Sequence, residues 1–141
     1  AAREHVYAHL SEAARAEYLS SHPAAAARTA AILSGKEGAC FVAQSNGKIA
    51  GFLMGTLAEP ITPEIRYGVI DNIRVIPELR GQGIGSQLVV NFSEWAAKSG
   101  ATRLSVDVSP RNESALRFYA RHGLTPATLI LESDLTKKAV A

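Results

Sequence analysis

The residues of this chain best suited to chemistry are Arg80-Gly81-Gln82-Gly83-Ile84-Gly85-Ser86. They stand between an apolar run, Val69 to Val75, that suits a strand and a run from Ser86 to Ser99 that suits a helix. Glycine lets the backbone approach a ligand closely and adopts conformations closed to other residues. The first N–H groups of a helix have no internal acceptor, and the helix dipole makes that end positive. Loop and helix start together predict an anion cradle, for which phosphate is the natural guest. Arg80 adds a planar, multi-donor cation at its mouth.

The flanking sequence predicts a mixed α/β chain. Val6, Leu10, Ala13, Ala14 and Tyr18 recur at helical spacing, so residues 4–20 read as an amphipathic helix. Pro23 suits a first helical position and Ala24 to Leu33 is a strong helix former, ended by Gly35. Ala39 to Ala43 and Lys48 to Met54 are apolar runs joined through Asn46-Gly47, the strongest short hairpin signal in the chain. Arg66 to Val75 reads as the next strand, closed by Pro77. Ile84, Leu88, Phe92, Trp95 and Ala96 line one face of a helix that Gly100 stops. Arg103 to Val108 alternates like a strand. Pro110, Asn112 and Ser114 open a helix that carries Leu116, Tyr119 and Ala120 and ends at Gly123. Thr128 to Leu131 is a last strand candidate. The strand–helix–strand unit from 66 to 108 predicts a parallel crossover.

Composition excludes several function classes. The 141 residues suit one domain with a sizeable core. A formal net charge of +2 without a basic cluster gives no footprint for nucleic acid. One cysteine, Cys40, permits neither an internal disulfide nor a multi-cysteine metal site, and reads as an inert core thiol. The single cysteine fits a reducing, cytoplasmic setting, and no apolar run reaches the ~20 residues of a membrane span. His5 and His9, one helical turn apart, lack a third ligand nearby, so no metal is expected.

Arg80, Gly83 and Gly85 fill the pattern Arg/Gln-x-x-Gly-x-Gly/Ala, and about thirty residues on come a strand, Asn112 and a helix with Tyr119 ahead of Gly123. These two blocks, in this order, resemble the general N-acetyltransferase (GNAT) superfamily over most of residues 1–141, as a single domain. The resemblance implies a mostly antiparallel sheet with one splayed parallel pair, here 66–76 and 102–108. Acetyl-CoA would insert its pantetheine arm between them and pair with backbone around Ile73, Arg74 and Val75. Arg80 and the N–H groups of Gly81, Gln82, Gly83, Ile84, Gly85 and Ser86 would hold the pyrophosphate. The same resemblance makes Asp71 the base that takes the amine proton and Tyr119 the acid that meets the CoA thiolate, with Asn112 against the cofactor arm. A backbone N–H near Ile73 would hold the carbonyl oxygen, a type of contact worth ~3–4 kcal/mol of barrier.

Each assignment has a plainer reading beside it. Tyr119 suits an apolar helix face, Asn112 suits a helix cap, and Asp71 would pair with Arg66 or Arg74. Gly81-x-Gly83-x-x-Ser86 followed by Asp107 also fits a dinucleotide turn, but Ser86 replaces the third glycine and four residues separate strand from glycines. A non-catalytic acyl-CoA-binding module is the remaining alternative; it would need neither Tyr119 nor Asp71. The resemblance implies that the acceptor is an amine on a small molecule or peptide and that residues 4–34 and 57–66 select it, where Glu12, Glu17, Glu59 and Glu64 would attract a cation. The family's first edge strand is expected to be absent or to precede Ala1, which would leave an edge for a second copy to cover in a homodimer.

Overall fold

The computed structural model describes residues 5–9 and 38–137. Among the described residues five strands form one sheet in the order β1-β2-β3-β4-β5: His5–His9, Gly38–Ser45, Lys48–Leu57, Tyr67–Val75 and Arg103–Val106. The first three pairings are antiparallel and β4 runs parallel to β5. The mixed sheet with one parallel pair is the architecture the sequence implied.

Asn46 and Gly47, at φ 52° and 76°, make the two-residue turn between β2 and β3. Both angles are positive, as the matching hairpin turn demands. A 3₁₀ turn, Pro77–Leu79, then buries Leu79 and leads into the glycine loop. The following helix, α1 (Ile84–Lys98), lays Ile84, Leu88, Val89, Phe92 and Ala96 into the core, with Trp95 half-buried at its margin. Burying each large side chain of this set contributes about 1.5–3 kcal/mol. The sheet meets α1 closely because two strand residues are glycine. A Cβ on Gly55 would lie 2.5 Å from the Phe92 ring, and one on Gly68 would lie 2.9 Å from Ala96. The second described helix, α2 (Glu113–Ala120), brings Tyr119 to the same core. On a separate cluster Cys40 is buried with Val42, Phe52 and Met54, as a core thiol should be.

Four expectations are corrected. Residues 5–9 form a strand, not the start of a helix; they pair antiparallel with Phe41–Ser45. Val6 and Ala8 alternate as well as they fit a helical stripe, and the β2 edge supplies hydrogen bonds that isolated periodicity does not anticipate. A first edge strand is therefore present, and the argument for a partner covering a vacant edge falls away. Four residues along a strand span ~13 Å, so His5 and His9 are not neighbours on a helical turn. Thr128–Leu131 forms no strand; Leu129, Ile130 and Leu131 lie exposed without ladder partners. The rest of the expected 4–20 helix and the 24–33 helix fall outside the described residues. No described helix is long and apolar enough to cross a membrane.

Candidate active site

The parallel ladder is short. Tyr67 to Ile70 pair with Arg103 to Val106, and β4 then continues alone on that side to Val75. At the point of departure the β3–β4 register slips: Gly55 faces Ile70 and Met54 faces Asn72, leaving Asp71 as the extra residue. Such a bulge bends a strand and re-aims its side chains. Ile70 and Ile73 both join the core with α1, so Asp71 and Asn72 are the two residues interposed between core positions.

Beyond the bulge the backbone polarity is set by β3. The Ile76 N–H donates to the Ala50 carbonyl at 2.9 Å. Backbone groups alternate sides along a strand, so Asn72 and Arg74 turn theirs toward β3. Ile73 and Val75 turn theirs to the side that β5 has left. The Val75 carbonyl is already engaged there: Arg80 Nε donates to it at 3.0 Å, which fixes the guanidinium at the end of β4. Val75 therefore offers its N–H and a carbonyl that already accepts one bond, and Arg74 offers only its exposed side chain.

At the loop, Gly81 and Gly83 have φ of 80° and 81°, and a Cβ on either would meet nothing within 4 Å. These glycines are required by backbone conformation and not by crowding. Gly85 is different: a Cβ there would touch the Phe118 ring at 3.4 Å. Gly83 is the N-cap of α1 and supplies no side-chain acceptor. The first helical backbone bond runs from Gln87 N–H to the Gly83 carbonyl at 3.0 Å, leaving the Ile84, Gly85 and Ser86 amides ahead of the ladder. Ile84 is 1% exposed, so it can contribute only its backbone. Gln82 is exposed in the loop. An open amide end without a cap, beside an anchored arginine, fits a diphosphate.

Asn112 caps α2, its side-chain oxygen accepting from Ala115 N–H and from the Ser114 hydroxyl, both at 3.1 Å. Its side-chain NH₂ is the part left for a ligand. Tyr119 is 7% exposed and its ring meets Phe118 edge-on at 5.1 Å. Burial pushes its phenol above the ordinary tyrosine range, which keeps it protonated at neutral pH. Asp107 is exposed one residue beyond β5. Among the described residues no group of three His, Cys, Asp or Glu side chains is placed to hold a metal ion.

Sequence reasoning missed one neighbour of the loop. His122 Nε2 lies 3.0 Å from Ser86 Oγ, across 36 residues of chain. Nothing local in the sequence signals that contact.

Comparison with known proteins agrees with this arrangement. The acetyltransferase (GNAT) family model matches residues 3–124. An aminoalkylphosphonate N-acetyltransferase of Salmonella typhimurium is 32% identical over 82 residues, 58% of this chain and 53% of the relative. An L-2,4-diaminobutyric acid acetyltransferase of Nocardia farcinica is 30% identical over 83 residues, 59% of this chain and 42% of the relative. The matched stretch is thus about half the length of these relatives or less. Among solved structures, an aminoglycoside N-acetyltransferase in complex with CoA superposes with a TM-score of 0.76 at 18% identity, covering 95% of this chain and 96% of the other. A putative acetyl transferase from Pyrococcus furiosus gives 0.76 at 22% identity over 94% of this chain and 100% of the other. With its open-ended helix, its parted parallel strands and a match across residues 3–124, the chain belongs to the GNAT family of acetyltransferases.

Proposed function

We propose that the chain transfers an acetyl group from acetyl-CoA to a primary amine while both are bound together. The observation that carries this reading is the coincidence of two features at one end of β4. The parallel ladder stops at Ile70, and β4 runs on alone to Val75, one 3₁₀ turn ahead of a glycine loop whose helix start is uncapped. A ligand with amides and a diphosphate needs both, in that order.

Bound acetyl-CoA supplies an acetyl group already activated as a thioester. The chain's own residues then bind, orient and move protons. The amides of Gln82, Gly83, Ile84, Gly85 and Ser86, with Gly81 giving the turn its shape, hold the diphosphate, and Arg80 adds its charge. The Ile73 backbone and the Val75 N–H pair with the pantetheine arm, as an added strand would. The Arg74 side chain and the Asn112 amide flank that arm. Asp71, at the bulge, accepts the proton that an amine of pKa roughly 10 must lose before attack. Tyr119, held protonated by burial, gives its proton to the departing thiolate.

The amine is small in the two named relatives, an aminoalkylphosphonate and diaminobutyric acid, and an aminoglycoside in the structural neighbour. A primary amine on a small polar molecule is the class these support. Thiol release from acetyl-CoA, followed across a panel of such amines, tests the proposal. Amine-dependent release is the expected result. CoA binding with no release for any amine would leave only the acyl-CoA-binding module.

A further inference from the structure

Ser86 is the third residue of α1, and its hydroxyl carries a single proton. His122, just past the end of α2, reaches it at 3.0 Å through Nε2. Phe118 packs between the two helices: its ring meets His122 edge-on at 5.1 Å and lies 3.4 Å from where a Gly85 Cβ would stand. The Arg121 guanidinium carbon lies over the same Phe118 ring, 5.7 Å from its centroid. The imidazole is thus held against the first turn of the helix by an aromatic wedge.

We propose that His122 is a positioning residue for the coenzyme, taking up a proton from solvent when the diphosphate binds and acting on it through Ser86. The inference rests on the reading of residues 80–86 as the diphosphate cradle. If the Ser86 hydroxyl turns its proton to a phosphate oxygen, its own oxygen must accept from Nε2–H of His122. The pair then points one way, imidazole to hydroxyl to anion. In the free protein, burial first and the Arg121 charge second hold His122 below the ordinary histidine value, so it is neutral at pH 7. Of the described charged groups Arg121 is the one acting on it. The facing helix meets it with Ser86 and carries no charged side chain before Glu94. Diphosphate brings the opposite charge to that neutral ring, and opposite charge favours the protonated form. No local sequence signal marks such a residue, because its effect depends on α2 returning to the start of α1.

Imidazole proton shifts, followed by NMR against pH with and without saturating CoA, test the proposal, with His122→Gln used to assign the resonance. His122 is expected to titrate below the ordinary histidine value in the free protein and above it with CoA bound. Ser86→Ala should shrink that movement. In calorimetry between pH 5 and 8, the wild-type protein should lose about tenfold more CoA affinity than His122→Gln, whose neutral amide keeps the donor without the charge. Comparing the two cancels the titration of the coenzyme's own phosphates. CoA binding that leaves the His122 titration unmoved, or lowers it, overturns the inference while the cradle stands. Absence of CoA binding to the wild-type protein at every pH overturns both.

Discussion

The two described helices begin in opposite ways. At α2, Asn112 closes the end: its side chain accepts the Ala115 N–H at 3.1 Å. At α1, Gly83 supplies no acceptor and a left-handed φ of 81° instead. Glycine in place of an asparagine cap costs a helix only roughly a few tenths of a kcal/mol. The α1 start gives up that little, and its amides stay available to an anion. A helix N-terminus is thus read by its cap: a capped end is closed to a ligand, while an uncapped glycine end beside an anchored arginine is open to an anion.

The sharpest way to break that contrast is Gly83→Val. A β-branched residue is strongly disfavoured at φ 81°, so the loop must rearrange to take it, and its side chain would stand where the ligand must approach. CoA binding should vanish in calorimetry while circular dichroism stays native, since a Cβ there meets no protein atom within 4 Å and the strain is confined to the loop. Retained affinity would remove the loop from its role. Next in size is Tyr119→Phe, which keeps the packing and deletes the proton. It should lower kcat about 100-fold and leave CoA affinity nearly unchanged. An unchanged kcat would return Tyr119 to a purely structural position.

A third test separates glycines that serve a ligand from those that serve packing. Gly55→Ala drives a methyl to 2.5 Å from both the Phe92 ring and the Val69 carbonyl. It should cost about 1–3 kcal/mol in urea unfolding. Asn112→Ala should cost about 1 kcal/mol, and Asn112→Ser should recover most of it because a neutral side-chain acceptor returns. If Asn112→Ser still weakens CoA binding several-fold, the lost NH₂ contacts the coenzyme. The smallest effect is on pH-dependent stability. His122 binds its proton more weakly in the folded chain than in the unfolded one. Stability should therefore be full above the ordinary histidine value and fall as pH drops through it. Unfolding at pH 5 and 7 should show a larger loss for the wild type than for His122→Gln.

Much of this was legible in the chain where the signal is local. Asn46-Gly47 gave away the hairpin because its turn needs two positive φ values within one dipeptide. The Ile84, Leu88, Phe92 and Ala96 stripe marked the α1 face, and Asn112 marked the α2 start. What depended on distant partners was hidden. The strand at His5–His9 exists through its pairing with Phe41–Ser45, while its own residues fit a helical stripe equally well. Thr128–Leu131 has strand-like residues and no ladder, the reverse case. The bulge at Asp71 is a mismatch between two strands, so neither sequence alone contains it. The occupied Val75 carbonyl and the Ser86–His122 contact are likewise products of the fold.

The measurement closest to the central claim is an amide NMR titration of the protein with CoA. The account predicts the largest shifts at the N–H groups of Ile84, Gly85 and Ser86, with the Ala115 N–H, already bonded to Asn112, moving far less. Saturation of the protein with CoA while the α1 start stays unperturbed would contradict it.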